Sequence, residues 1–183
     1  MGAYMLTIQN TGLVVVDIQG NLAHMVHQSD VLIRNALAMI KGAKALQLPI
    51  IYLEQAPQKL GSTVPELADE LKPYNAIIKH TFNACDVVEF PLALKAAKRD
   101  HWLICGIEAH ICVYQSAMGM MDLGYTLEVV CDAISARKEE NKILAINKLS
   151  ANGASITSVE MVLYELVGDS RSPAFKAILP LIK

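Results

Sequence analysis

With 183 residues, 53% of them hydrophobic, the chain has the length and apolar content of one domain (1–183) with a sizeable core, which excludes extended disorder. A formal net charge of −2 with interspersed signs leaves no basic stripe to neutralise phosphates, so no nucleic-acid partner is expected. Apolar runs such as residues 13–16 and 103–105 are strand-sized, far below the roughly 20 residues a bilayer demands, so no membrane association is expected either.

The first ten residues, MGAYMLTIQN, lack a basic region followed by an apolar one, so the chain reads as cytoplasmic. Residues 11–18, TGLVVVDI, form a continuous β-branched run, which predicts a strand buried on both faces of a parallel sheet and ending at Asp17. After Asp30, an N-cap candidate, Leu32, Ile33, Leu37, Ile40, Ala43 and Leu46 recur at helical spacing until Pro49. Residues 50–53 predict a second strand, EQAPQKLGST a polar loop, and Pro65 the start of a short helix. Residues 76–78 predict a third strand that delivers Lys79, and residues 87–99 another helix.

Residues 101–132, HWLICGIEAHICVYQSAMGMMDLGYTLEVVCD, organise the rest. They predict a buried strand at 102–105, a turn at Gly106, a helix opening near Cys112 and a further strand at 127–131. Helix 139–149, strand 154–157 and a Ser158-capped helix 159–167 complete the alternation. Strands alternating with helices predict a three-layer α/β fold with one doubly wound, mostly parallel sheet. The apolar tail SPAFKAILPLIK reads as a docking segment for its own subunit or a neighbour.

Asp17, Lys79 and Cys112 all fall at strand ends, which a parallel sheet gathers at one edge, where such folds bind ligands. A thiol at a helix N-terminus beside a lysine is expected to favour the thiolate. Asp17, in an apolar setting, fits a base that takes the thiol proton and returns it to a leaving group. From spacing alone rival readings stand: Asp17 as a turn-capping carboxylate, Lys79 as a solvated side chain, and Cys112 as a small packing residue. Cys105 and Cys131 read as core, and the four cysteines, with no CxxC or CxxH pair, read as free thiols with no metal site.

The set VVVDIQ, IIKHTFN, GIEAHICVYQSA and GYTLEVVCDA closely resembles the isochorismatase-like cysteine hydrolases over nearly the whole chain. The loop EQAPQKLGSTVPEL and the segment LVGDSRSPAFKAI look like its isochorismatase-domain-containing branch. The resemblance implies a catalytic triad of Asp17, Lys79 and Cys112, a cis peptide at Ile107-Glu108, and an oxyanion hole from the N–H groups of Glu108 and Cys112. It also implies cleavage of a C–N bond in a small amide, ureide or related substrate through an acyl-cysteine, without cofactor or metal, in a homo-oligomer. Gln19, His24, Gln55, Asn83 and His110 are polar neighbours that could line the pocket, while Tyr114 and Met118 read as core or subunit contact. Ala109 stands where relatives commonly have Thr, and Asn83-Ala84-Cys85 where they show a Ser-containing segment. Ala109 keeps open a catalytically silent scaffold of the same fold, and the resemblance of this branch to proteins described as RNA-cleaving keeps open a ribonuclease-related role.

Overall fold

The computed structural model describes residues 5–182; the beginning of the N-terminal stretch, residues 1–4, and the last residue of the tail lie outside the described residues. Six parallel strands form one sheet in the order β3-β2-β1-β4-β5-β6. They are β1 (Thr11–Val16), β2 (Ile50–Gln55), β3 (Ile77–Lys79), β4 (His101–Gly106), β5 (Thr126–Ile134) and β6 (Ser155–Thr157). This is the doubly wound α/β sheet expected from the alternation of elements.

The two central strands explain the layers. Every residue of β1 is buried, and because side chains alternate across a strand, Leu13 and Val15 face one core while Val14 and Val16 face another. The first core is closed by α2 (Ser29–Ala45), α4 (Pro65–Leu71), α8 (Val159–Val167) and α9 (Pro173–Ile178). The second is closed by α5 (Glu89–Ala97), α6 (Tyr114–Asp122) and α7 (Glu139–Ala151). Trp102 and Phe90, both fully buried, fill this second layer. The Ser158 cap is present, its hydroxyl accepting from the Met161 N–H at 3.2 Å. The tail docks on its own subunit, with Ile178 buried in the first core.

Two short helices lie in stretches the periodicity did not mark: α1 (Gly20–Met25) and α3 (Pro57–Leu60). Neither is long enough for an apolar stripe to register, and only Ala23 of the two is buried. The helix expected to open near Cys112 opens earlier, as a π-helical turn Ala109–Val113 that runs into α6, so Cys112 lies inside the turn. Among the described residues no helix is long and apolar enough to cross a membrane.

The switch point of the sheet lies between β1 and β4, where the winding reverses direction and a crevice opens beyond the strand ends. At that point Gly106 has φ +123°, and a Cβ on it would stand 2.0 Å from the Val16 carbonyl oxygen. Gly153 has a comparable φ of +101° but open space around it. Gly106→Ala is therefore expected to cost about 3 kcal/mol or more, from left-handed strain plus a backbone clash. Gly153→Ala carries the conformational cost alone, about 1–2 kcal/mol. Urea denaturation of the two variants checks the difference.

Candidate functional site

β1 ends at Val16, and Asp17 follows it with its backbone turned to φ 51°, a conformation that Asp tolerates better than most residues. The Asp17 N–H still donates to Leu53 O at 3.2 Å, so the residue stays tied to β2 while its side chain sits at the sheet edge. β3 ends on Lys79, whose side chain is completely buried. Its ammonium donates to Asp17 Oδ2 at 2.7 Å, Gln55 Oε1 at 2.6 Å and Thr81 O at 3.4 Å. A lysine has three donors, and all three are engaged.

β4 delivers the third group. After Gly106, the Ile107 N–H donates to Val16 O at 2.9 Å and the Ala109 N–H to Ser135 O at 2.7 Å, pinning the π-helical turn between the ends of β1 and β5. The Ile107-Glu108 peptide is cis. Cys112 is 7% exposed and close enough to Asp17 for each to perturb the other's titration. Asp17 Oδ1, also buried, has no hydrogen-bond partner among the described residues.

The electrostatics follow from burial. Desolvation raises the Asp17 carboxyl above the ordinary carboxylate range, and Lys79 opposes the rise by its charge and hydrogen bond. Burial pushes the Cys112 thiol up to about 12, the negative charge of Asp17 adds to the rise, and Lys79 opposes it. The expected thiolate is thus corrected. The helix end and the lysine do not outweigh desolvation and the neighbouring carboxylate, so the resting sulfur keeps its proton.

A cavity of about 100 Å³ opens beside these groups, lined by Asp17, Gln55, Glu108 and Cys112 together with Leu22, Leu60, Phe82, Ile107 and Ile111. Of the polar neighbours proposed from sequence, only Gln55 lies on its wall. Gln19 is fully buried and pins a loop: its Oε1 accepts from the Gln55 N–H at 2.5 Å and its Nε2 donates to Gly61 O at 2.5 Å. Asn83 caps the 3₁₀ turn Ala84–Asp86, accepting from the Cys85 N–H at 2.9 Å. His110 pairs through Nε2 with Asn141 at 3.2 Å, and His24 is exposed on a shallow groove with Gly61 and Thr63. Tyr114 and Met118 pack against the second core.

Glu108 has a role no local signal marked. Its carboxylate, 6% exposed, accepts from the Arg137 N–H at 2.9 Å and from Arg137 Nε at 3.1 Å, which anchors the turn to the end of β5. The apolar walls were also missed, since a single Leu or Phe in a polar loop carries no pattern. Among the described residues no group of three or more His, Cys, Asp or Glu side chains is placed to hold a metal ion.

Two outcomes follow from the buried triplet. Lys79→Ala strands the Asp17 carboxylate and is expected to destabilise the fold by about 3 kcal/mol near neutral pH. Burial raises the folded-state Asp17 carboxyl above its ordinary value, and in the variant Lys79 no longer opposes the rise. The loss therefore shrinks as the pH falls through that raised pKa and is gone near the ordinary carboxyl pKa, where a protonated Asp17 needs no partner; denaturant melts at neutral pH and near pH ~4 read this. Asp17→Asn removes an anion from beside the sulfur and leaves the ammonium, so the Cys112 thiol titrates lower than about 12. The pH profile of its alkylation, followed by intact mass, measures that drop.

A family model for the isochorismatase domain matches residues 11–161. Isochorismatase domain-containing protein 2 of Bos taurus is 35% identical over 172 residues, which cover 93% of this chain and 82% of the relative. Among solved structures, the MAR1 ribonuclease of Caenorhabditis elegans superposes with a TM-score of 0.91 at 32% identity, covering 98% of this chain and 92% of that one. YcaC of Escherichia coli, described as an octameric hydrolase of unknown specificity, gives a TM-score of 0.93 at 27% identity, covering 99% and 91%.

Proposed function

Because the chain belongs to the isochorismatase family and so is a hydrolase of this fold, we propose that it cleaves the C–N bond of a small amide-like substrate through an acyl-cysteine. One observation carries the reading: a buried Asp17–Lys79 ion pair beside Cys112, with Asp17 Oδ1 left without a partner. A carboxylate held ionised by a lysine, with one free oxygen near a protonated thiol, is placed to take that proton.

The steps follow from the geometry. Cys112 Sγ attacks the substrate carbonyl carbon while Asp17 Oδ1 accepts the thiol proton, so no free thiolate needs to form at rest. Charge then develops on the carbonyl oxygen, and the N–H groups of Glu108 and Cys112 are the donors proposed to meet it. The Glu108 N–H donates to no group among the described residues, and the Arg137 contacts hold its residue in place. Protonated Asp17 gives its proton to the leaving nitrogen, the C–N bond breaks and the thioester remains. Water, deprotonated by Asp17, attacks the thioester, and the departing sulfur recovers the proton. Lys79 touches no substrate; it keeps Asp17 ionised and positioned between turns.

Four free cysteines among the described residues match a reducing compartment and support placing the reaction in the cytoplasm. The octameric Escherichia coli relative supports a homo-oligomer. A second reading, RNA cleavage, is favoured by the structural likeness to the MAR1 ribonuclease. Against it, no Lys or Arg among the described residues lines the cavity, and Lys79, paired with Asp17, has no exposed side-chain surface, which leaves a phosphodiester without a cation.

Wild type is expected to release amine or ammonia from simple amides, and Cys112→Ser or Asp17→Asn to lose this activity by ~10³-fold or more. Acid-quenched intact mass during turnover should show an acyl adduct on Cys112. Salt-sensitive RNA cleavage that survives Cys112→Ser, with no adduct from any amide, would overturn the reading.

A further inference from the structure

We infer that the pocket accepts a short, uncharged, aliphatic acyl group of about four heavy atoms, with Leu60 and Phe82 setting its length. The inference rests on the acyl-cysteine reading above and specifies its substrate. Size gives the first limit. An apolar cavity of about 150 Å³ holds a benzene ring, six carbons; at about 100 Å³ this one holds proportionally fewer. Pockets for drug-sized ligands begin near ~300 Å³.

Charge gives the second limit. The cavity wall carries two carboxylates, Asp17 and Glu108, and among the described residues no Lys or Arg; each carboxylate has a cation partner within the protein. Lys79, with its side chain fully buried, has its three donors on Asp17, Gln55 and Thr81. The Glu108 carboxylate is held by Arg137. Gln55 bonds at both ends, to Lys79 and to His80 O, and Gln19 is committed to the loop backbone. What remains is a wall of Leu22, Leu60, Phe82, Ile107 and Ile111. A substrate carboxylate would lose its water there and meet the Asp17 anion without a free cation to replace it. The hydrocarbon chain of a simple amide suits the wall best.

Leu60 and Phe82 are the adjustable part of that wall. Leu60 ends α3, between Ala56 at φ 39° and Gly61 at φ 83°. Phe82 follows the strand end that carries Lys79. At 37% and 53% exposure respectively, both sit at the rim rather than in the core, so shortening them opens the pocket without emptying a packed layer.

Acylation of Cys112 by p-nitrophenyl esters tests this in the full chain. The sulfur–carbon bond forms as the carbon–oxygen bond breaks, Asp17 takes the thiol proton, and p-nitrophenolate leaves as a coloured anion. Rates for acetyl, propionyl, hexanoyl, benzoyl and the anionic succinyl donor are each corrected for hydroxide reactivity and for the Cys112→Ser background. The expected order places acetyl and propionyl at least about tenfold above hexanoyl and benzoyl, and about a hundredfold above succinyl. Leu60→Ala and Phe82→Ala should raise the ratio of hexanoyl to acetyl rates about tenfold. That ratio is read within one variant, so any loss of folded protein cancels. Acylation of Cys112 that is equally fast with all donors, or a ratio unmoved in both variants, overturns the inference and leaves the acyl-cysteine reading standing. No adduct on Cys112 from any donor overturns both.

Discussion

The structure depends on an ion pair that is costly to keep: Asp17 and Lys79, 2.7 Å apart, with 4% and 0% of their side chains exposed. Removing two charges from water costs several kcal/mol per ion, recovered only where the geometry is good and the remaining donors find acceptors. Here they do, because Gln55 and Thr81 complete the ammonium's coordination. The pair is also asymmetric. Every donor of the lysine is engaged, whereas one carboxylate oxygen keeps an open valence, and the same carboxyl lies close enough to Cys112 to perturb its titration. A structural pair would close that valence; an open one is the form a proton acceptor needs.

The same burial reverses the usual logic of a cysteine nucleophile. A low thiol pKa gives a reactive anion at rest, but it also gives a weaker nucleophile and a target for oxidants. Burial and the Asp17 charge push Cys112 the other way, up to about 12, so in the proposed mechanism reactivity depends on the carboxylate accepting the proton as the bond forms. Lys79 lowers the pKa of both neighbours. It thus limits how far desolvation can protonate the base without converting the thiol into a standing thiolate.

Much of this was legible in the sequence, for a reason tied to the sheet. Strands buried on both faces read as continuous apolar runs, and a charged residue that ends such a run must lie at the sheet edge. Asp17 after LVVV was visible on that basis; Lys79 was visible as the charged residue after the short apolar run AII, although β3 is an edge strand with Ile78 exposed, and a parallel sheet brings the two ends together. Cys112 was visible as the thiol beyond the next strand, but its titration was not. A helix end is read from spacing, whereas desolvation depends on everything packed around the sulfur. Polar residues close in sequence to the site were also poor guides. Gln19 and Asn83 look like ligand contacts because they are polar, yet they satisfy backbone groups of the loops that shape the site. Leu22, Leu60 and Phe82 look like stray apolar residues in loops, yet they form the wall.

That inversion has a physical basis. A buried ion pair at a sheet edge has to have its hydrogen bonds completed by nearby polar side chains, and each one so used is withdrawn from recognition. The more thoroughly Lys79 is satisfied by Gln55 and Thr81, and Glu108 by Arg137, the fewer polar groups remain to read a substrate. In the proposed mechanism, recognition then falls to apolar side chains on short connecting helices and turns, which lie outside the strand framework and tolerate substitution. The reacting groups can therefore stay constant while the substrate changes with two or three loop residues. Family membership accordingly specifies the chemistry of this fold far better than its substrate, and the proposed reading places that missing information in the small cavity bounded by Leu60 and Phe82.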